Sequence, residues 1–291
     1  MNSQYSSFTI DENKCINCGL CAEICLVYSQ ESSQMKTVFP NLCIGCGHCE
    51  SVCPASAITG PVPVVPIDKD YGEKIPSPES LQLLLQTRRS VRRYKPQPIK
   101  DSDIEKILEA GRYTPTGSNS QDIGYIIVND PDKMAEIRQV MLPLVARMFA
   151  MASRIAALPF AAKILGENQA HKLRNVYGPA VALFMDRNAN GDDRLFYNAP
   201  ALMLVHGEKQ DEAMAFSCHM AMFSCSLMAH TLDIGCLLNS FALMAINRSR
   251  KLKNMIGVPK GHKCFGAMTL GYQNIKYRTL INRKPVNVRI I

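Results

Sequence analysis

The sequence lacks the uninterrupted apolar runs that direct a chain into or across a membrane. Its N-terminal stretch includes Asp11, Glu12 and Lys14 and no apolar run, so we expect no secretory signal peptide. Two longer apolar stretches exist, but three basic residues interrupt Met141–Leu165, and Ala213–Leu232 contains histidines and several serines. We therefore predict a cytoplasmic protein without a membrane partner, in which Ala213–Leu232 is a buried helix.

Several short motifs of common cofactor sites are also missing. The chain has no G-x-G-x-x-G, no G-x-x-x-x-G-K-S/T and no H-E-x-x-H sequence, so a Rossmann nicotinamide site, a P-loop and a zinc-protease site are unsupported. Tryptophan is absent, and no strip of alternating basic and aromatic residues accompanies the net charge of +8. Residues 1–60 carry a formal charge of −3 and residues 61–291 carry +11, with the basic residues scattered. We therefore expect no nucleic-acid partner.

A duplicated cysteine motif with a period of 28 residues lies near the N-terminus. The sequence C-I-N-C-G-L-C-A-E-I-C at residues 15–25 recurs as C-I-G-C-G-H-C-E-S-V-C at residues 43–53. Three thiols at successive x2 spacing, followed by a fourth, suit the corners of a four-iron four-sulfur (4Fe–4S) cluster. Zinc sites usually combine two separated C-x2-C pairs, and a disulfide framework belongs to secreted chains. The motif therefore favours two 4Fe–4S clusters over these alternatives.

The spacing resembles that of two-cluster ferredoxins, in which the last cysteine of each motif ligates the other cluster. That resemblance implies two ligand sets, here named site A and site B. Site A consists of Cys15, Cys18, Cys21 and Cys53, and site B consists of Cys43, Cys46, Cys49 and Cys25. The other four cysteines, which we predict to be buried apolar residues, are Cys218, Cys225, Cys236 and Cys264.

Composition divides the chain into a ferredoxin-like domain (residues 1–60), a proline-rich linker (61–79) and a larger domain (80–291). Periodicity predicts helices at Ser80–Arg89, Asp101–Gly111, Asp132–Leu165, Ala213–Leu232 and Lys251–Ile256. It predicts strands at Tyr125–Val128, Ala180–Asp186, Ala201–His206 and Phe265–Gly271. This mixture is typical of an α+β domain.

The larger domain contains a series of short motifs in a characteristic order. R-R-S-V-R at residues 88–92 precedes P-T-G-S-N-S-Q at 115–121, and N-A-P at 198–200, L-D-I-G at 232–235, I-G-V-P at 256–259, L-G-Y at 270–272 and R-K-P at 283–285 follow. Together they resemble the FMN-dependent nitroreductase family over roughly residues 80–291. The resemblance implies helices around a mixed, mainly antiparallel sheet, and an intertwined homodimer with FMN at the subunit interface.

The resemblance also implies roles for individual residues. Arg88, Ser90 and Arg92 match the motif that binds the FMN phosphate and ribityl chain, Asn119 matches the residue that hydrogen-bonds the flavin ring, and Arg283 matches a C-terminal basic residue at the phosphate. Residues 237–240 fall where relatives present a backbone amide to flavin N5. The further candidate FMN contacts are Arg89, Pro115, Thr116, Gln121, Asn239, Ser240 and Lys284.

These features predict an oxidoreductase that passes electrons from the clusters to FMN and on to a small oxidised organic acceptor, such as a nitroaromatic or a quinone. Reduced ferredoxin or NAD(P)H is the expected electron donor. An ene-reductase or dehalogenase on the same scaffold, and a non-enzymatic electron carrier that serves a partner protein, remain alternatives because a fold does not determine a substrate. His171 and Tyr197 are candidate proton donors, and the sequence assigns no catalytic side chain.

Overall fold

The computed structural model describes residues 8–31, 34–60, 64–156, 163, 166–172, 175 and 178–291. The chain divides into two compact units, each with its own hydrophobic core. Unit 1 comprises Met1–Pro76 together with the short loop Thr116–Gln121, and unit 2 comprises Ser77–Pro115 and Asp122–Ile291. The inclusion of Thr116–Gln121 in unit 1 has no counterpart in the composition of the sequence.

Unit 1 consists of short elements around the two cysteine motifs. They are β1 (Thr9–Ile10), α1 (Leu20–Ile24), β2 (Tyr28–Glu31), β3 (Gln34–Thr37), α2 (His48–Val52), β4 (Ile58–Thr59) and α3 (Tyr71–Lys74). Strand β1 pairs with β4 and β2 pairs with β3, both antiparallel. Helices α1 and α2 each follow a glycine with positive φ, 81° at Gly19 and 74° at Gly47, a conformation that glycine adopts without steric cost. The sequence repeat is therefore also a structural repeat.

Unit 2 contains the longer helices and four strands. They are α4 (Pro78–Thr87), α5 (Asp101–Arg112), β5 (Gly124–Val128), α6 (Pro131–Ala156), α7 (Glu167–Lys172), α8 (Gly178–Ala189), β6 (Ala201–Glu208), α9 (Met214–Thr231), β7 (Ile234–Leu238), α10 (Ser240–Arg248), α11 (Arg250–Ile256) and β8 (His262–Tyr272). The strands form one antiparallel sheet in the order β5-β6-β8-β7. The predicted α+β class is confirmed.

Helices cover both faces of this sheet. Leu202 and Leu204 of β6 pack with α6, α10 and α11 on one face, while Ala201, Met203 and Val205 pack with α5 and α9 on the other. Because both faces of β6 are buried, its sequence is a continuous apolar run rather than an alternating one. The sheet therefore provides a rigid frame for the loops that leave its ends.

One predicted element of unit 2 is wrong, and others, including α7 and α10, were not predicted. Ala180–Asp186, predicted as a strand, lies inside α8. A short apolar run has no period that separates a strand from a buried helix, and the Asn188 side chain here donates to the Phe184 carbonyl one helical turn earlier. Strand β7 was not predicted. Part of the helix expected at Asp132–Leu165 falls on positions 157–162, 164 and 165, which lie outside the described residues.

The apolar helix α9 lies against the sheet, as predicted. Cys218, Ala221, Cys225 and Ala229 on its inner face are fully buried. In the described part of the chain, no helix has the length and apolar content needed to cross a membrane. All four cysteines outside the repeat are buried, which confirms that prediction, and burial raises the pKa of Cys264 to about 11.

Candidate cofactor sites

The four cysteines of site A line a single cavity in unit 1. Cys15, Cys18, Cys21 and Cys53 surround a small cavity of about 20 Å³ whose remaining walls are mostly apolar. All twelve cysteines of the chain are free thiols. Four thiols around one apolar void are the donor set that a 4Fe–4S cluster requires.

The thiols of the two sites repeat one pattern of burial. The second cysteine of each motif, Cys18 or Cys46, is exposed, and the third, Cys21 or Cys49, is buried. The first and fourth cysteines of both motifs are half-buried. The two motifs therefore form equivalent loops, and site B fits the same kind of group as site A.

Two sulfur atoms of site B, those of Cys49 and Cys43, accept hydrogen bonds. The hydroxyl of Tyr28 donates to Cys49 Sγ at 3.4 Å, and the backbone N–H of Gly45 donates to Cys43 Sγ at 3.4 Å. Burial, and then the contact with Cys49, raises the pKa of Tyr28. The hydroxyl therefore keeps its proton and remains a donor.

The sulfur atoms of site A have a different environment. The backbone N–H of Ala57 donates to Cys53 Sγ at 3.3 Å. The carboxamide oxygen Oδ1 of Asn17 lies 3.6 Å from Cys15 Sγ, and the same oxygen accepts the backbone N–H of Met35 at 3.0 Å. An acceptor oxygen therefore faces one of the four sulfur atoms of this site.

The predicted phosphate motif of unit 2 is held in an extended conformation along strand β7. The N–H of Val91 donates to the carbonyl of Cys236 at 3.0 Å, and the buried Val91 side chain packs against Gly235. The hydroxyl of the buried Tyr94 donates to the Val91 carbonyl at 2.6 Å. Since Val91 points inward, its neighbours Ser90 and Arg92 are left exposed.

The guanidinium groups of this motif lack carboxylate partners. Among the described ion pairs, none involves Arg88, Arg89 or Arg92. The Nε atom of Arg89 is buried without a hydrogen-bond partner, and the guanidinium of Arg92 lies 5.7 Å from the ring centroid of Tyr197. A fixed group of unpaired guanidinium side chains fits a phosphate, which accepts paired hydrogen bonds from them.

A cavity of about 320 Å³ adjoins Arg89, and sequence analysis missed most of its lining. Its basic side chains include Lys276 and Arg278, which follow β8, and its wall includes Thr87 and His230. The hydroxyl of Thr87 lies 2.9 Å from His230 Nε2. Burial, and then the charge of Arg88, lowers the pKa of His230, so this imidazole is uncharged at neutral pH. Arg89, Lys276 and Arg278 outnumber the carboxylate of Asp233 in the lining, so the cavity has a net positive charge that suits an anion.

Two predicted contacts elsewhere in unit 2 have other surroundings. The side chain of Asn239 accepts the N–H of Ala242 at 3.0 Å and donates to the Leu195 carbonyl at 2.6 Å, so it caps α10, and its backbone N–H donates to the Ala267 carbonyl at 2.8 Å. Ser240, the first residue of α10, is exposed, and a first-turn N–H has no partner within its helix. Arg283 and Lys284 are exposed in the C-terminal segment, and no described hydrogen bond joins them to Arg88–Arg92.

The loop expected to contact the flavin ring belongs to unit 1. The amide of Asn119 donates to the carbonyls of Ile44 and Gly45 at 3.2 and 3.1 Å, and Gln121 Nε2 donates to Asn119 Oδ1. Thr116 accepts the N–H of Gln121 through its hydroxyl at 3.0 Å. The preceding Pro115 is exposed. The structure therefore places Asn119 on the loop of a site B cysteine motif, and its flavin contact stays a prediction.

An aromatic pocket of about 330 Å³ in unit 2 was not foreseen from the sequence. Phe149, Phe184, Phe241 and Tyr197 line it together with the basic side chains of Arg187 and Arg194. Both arginines contact the exposed carboxylate of Asp192, at 3.2 and 2.6 Å, so the group carries a net positive charge. The residues come from three separate segments, which left no single sequence signal to find.

Known proteins resemble both parts of the chain. The Nitroreductase family profile matches residues 85–272, and the 4Fe-4S dicluster domain profile matches residues 8–59. The chain belongs to the nitroreductase family. Its larger unit has the nitroreductase-like α+β fold, and a ferredoxin-type iron–sulfur domain precedes it.

Individual relatives cover parts of this family member. A nitroreductase from Bacteroides fragilis with bound FMN shares the fold at a TM-score of 0.50 and 21% identity, over 72% of this chain and 98% of that one. An NADPH-dependent oxidoreductase of Staphylococcus saprophyticus is 36% identical over 62 residues, which is 21% of this chain and 25% of the relative. An iodotyrosine deiodinase of Danio rerio is 26% identical over 80 residues, 28% of this chain and 27% of the relative. The chain spans about a third or less of the curated relatives that it matches.

Proposed function

We propose that this nitroreductase-family protein is an FMN-dependent oxidoreductase that passes electrons from two 4Fe–4S clusters to the flavin and on to a small oxidised organic acceptor. FMN supplies the one- and two-electron chemistry that joins the single-electron clusters to such an acceptor. The observation that carries the proposal is the rigid R-x-S-x-R segment with three unpaired guanidinium groups. Sites A and B are the proposed ligand sets for the clusters.

The proposed task of Arg88, Ser90 and Arg92 is to hold the FMN phosphate. Arg89 and the basic cavity beside it extend the same positive surface. Because Val91 and Tyr94 fix the backbone of this segment, less backbone entropy is lost when FMN binds. The exposed N–H of Ser240 is the proposed backbone contact to the flavin ring.

The aromatic pocket is the proposed acceptor site. Its wall includes Phe241, which follows Ser240 in the chain, and Tyr197, whose ring contacts Arg92. Planar aromatic acceptors stack favourably on such walls. The positive charge of Arg187 and Arg194 favours acceptors that carry a carboxylate or phenolate.

Reductive dehalogenation is the second candidate activity. It is supported by the local identity to an iodotyrosine deiodinase and by the same aromatic, basic pocket, which suits a halogenated phenolate. The two activities differ in product, because dehalogenation releases a halide ion whereas nitro reduction does not. An ion-selective measurement after incubation with a halophenol therefore separates them.

A homodimer is part of the proposal. Helix α9 exposes the large apolar side chains of Phe216, Met220 and Phe223 at intervals of four and three residues, with 75, 43 and 47% of their surfaces accessible. Such a stripe on one helix face suits contact with a second copy of the chain.

The phosphate assignment is tested by flavin content. The Arg88→Ala and Arg92→Ala double variant should purify with less than about a tenth of the wild-type FMN, while its iron stays at about eight atoms per chain. Arg93→Ala, which removes a neighbouring exposed arginine, should keep its flavin. Full flavin in the double variant would exclude this phosphate site. Full flavin in the wild type without turnover of small acceptors would instead favour an electron carrier.

A further inference from the structure

The difference between the two cluster sites arises at equivalent positions of the 28-residue repeat. Asn17 in site A corresponds to Gly45 in site B, and both have left-handed backbones, with φ of 54° and 66°. The loops are therefore alike in conformation, and the side chain makes the difference. At Asn17 a carboxamide oxygen is directed to Cys15, whereas at Gly45 no side chain intervenes.

Tyr28 has no equivalent in the other half of the repeat. The corresponding position is Ser56, which cannot place a hydroxyl at the distance that a phenol ring spans. Tyr28 is 5% exposed and packs in the apolar core of unit 1, and its backbone pairs with Thr37 in the β2–β3 hairpin. The hydroxyl cannot leave Cys49 without removing the ring from that core.

These contacts act in opposite directions on the two clusters. A donor to a ligating sulfur stabilises the reduced, more negatively charged cluster and raises its reduction potential. A carbonyl oxygen directed at a sulfur places negative partial charge beside it and disfavours reduction. Site B has a phenolic donor, and site A has the oxygen of Asn17. Backbone N–H groups donate to sulfur atoms of both sites, so the contrast in side-chain contacts rests on Tyr28 and Asn17.

We propose that Tyr28 is a positioning residue that raises the reduction potential of the cluster in site B above that of the cluster in site A. An electron that reaches site A then passes to site B, with site A oxidised and site B reduced by one electron and no proton transferred. Electrons supplied by an external reductant therefore collect in site B. The inference rests on the ligand sets of the proposed function and is independent of the flavin.

The experiment is an anaerobic redox titration of the full-length protein, followed by electron paramagnetic resonance. The wild type should show two one-electron steps. Tyr28→Phe, which removes only the hydroxyl, should lower the higher potential and leave the lower one unchanged. Asn17→Gly, which copies the residue of site B at a backbone that suits glycine, should raise the lower potential and leave the higher one unchanged. Tyr71→Phe, at a half-exposed tyrosine of unit 1, should move neither potential.

Two results would overturn the inference. One is a Tyr28→Phe protein with full iron and sulfide in which both potentials keep their wild-type values. The other is a shift of both steps by the same amount, which would indicate a general change of the module. If Tyr28→Phe loses iron, the test rests on Asn17→Gly instead. An Asn17→Gly protein whose lower reduction potential equals that of the wild type refutes the contrast between the sites. Wild-type iron far below about eight atoms per chain would instead refute the ligand sets themselves.

Discussion

Arg138 Nε lies 3.1 Å from Asp193 Oδ1, and this ion pair anchors the loop that carries Tyr197. The Asp193 side chain is 5% exposed and accepts the backbone N–H groups of Leu195, Phe196 and Asn198, each at 3.0 Å. One buried carboxylate thus determines a turn in which Tyr197 has a positive φ of 57°, a conformation that is costly for a tyrosine. The hydrogen bonds of Asp193 therefore stabilise the strained backbone of Tyr197, which lines the aromatic pocket.

Replacing Asp193 should destabilise unit 2. Asp193→Ala leaves three amides and the partly buried Arg138 without their partner, and we expect a loss of roughly 3 kcal/mol in the free energy of unfolding. Urea denaturation followed by far-UV circular dichroism measures it. Asp192→Ala, at the exposed neighbouring carboxylate, is the matched control and should keep a midpoint close to that of the wild type. Equal midpoints for the two variants would refute the anchoring role of Asp193.

The contact between Val91 and Gly235 should control FMN binding from a distance. A Cβ atom at position 235 would lie 2.6 Å from Val91 Cβ, so Gly235→Ala should push the phosphate motif away from β7 and weaken FMN binding roughly tenfold. Fluorescence titration of the apoprotein with FMN measures the affinity. Val91→Gly combined with Gly235→Ala removes all the Val91 side-chain atoms that the added methyl group would meet and should recover most of the loss. A double variant as weak as Gly235→Ala would place the defect elsewhere.

The parts of this molecule that the sequence predicts are those with a local signal. The cysteine spacing, the buried run Ala201–His206 and the R-x-S-x-R motif each depend on neighbours in the chain, and the structure contains the elements expected there. The Ala180–Asp186 run carried no such signal, because its composition suits a strand and a buried helix equally. This segment is a helix because of its packing against other parts of unit 2, and those contacts cannot be derived from the local sequence.

The missed parts of the sites depend on contacts between distant residues. Arg138 and Asp193 lie 55 positions apart in the chain, and neither has a motif around it. The family pattern predicts a backbone amide at the flavin ring within residues 237–240, whereas the cap that the Asn239 side chain forms on α10 is visible only in the structure. Tyr28 lies in an ordinary strand, and its role is visible only from the position of Cys49.

Arg194 should contribute to the choice of acceptor. Arg194→Gln removes a guanidinium from the aromatic pocket, and the KM for 4-nitrobenzoate should rise about tenfold, the cost of one charged hydrogen bond. Nitrobenzene has the same ring without the carboxylate, and its KM should stay within about twofold. Arg93→Gln, outside the pocket, is the control variant. Equal changes for both acceptors would show that the pocket does not recognise the charge.

The stability of unit 2 should fall in mild acid because of a histidine pair. His206 Nδ1 and His262 Nδ1 lie 3.0 Å apart, so one neutral ring donates to the other. Burial, and then the charge of His262, lowers the pKa of His206 below its ordinary value of 6.5. The unfolded chain therefore takes up a proton before the folded one does. The stabilisation is complete above pH 6.5 and declines as the pH falls from there towards the folded pKa, at a limiting slope of about 1.4 kcal/mol per pH unit for one proton.

Urea midpoints at pH 7.5 and pH 5.5, followed by circular dichroism, measure this dependence. The half-buried His230, whose pKa is also lowered, contributes with the same sign, so the wild type should lose more stability between these pH values than one histidine alone accounts for. His206→Gln should reduce the loss between the two pH values, because it removes one of the two titrating groups, even if it lowers stability at both. His171→Gln, at an exposed histidine of α7, should show the full wild-type loss. A His206→Gln protein with the same pH dependence as the wild type would assign the acid sensitivity to other groups.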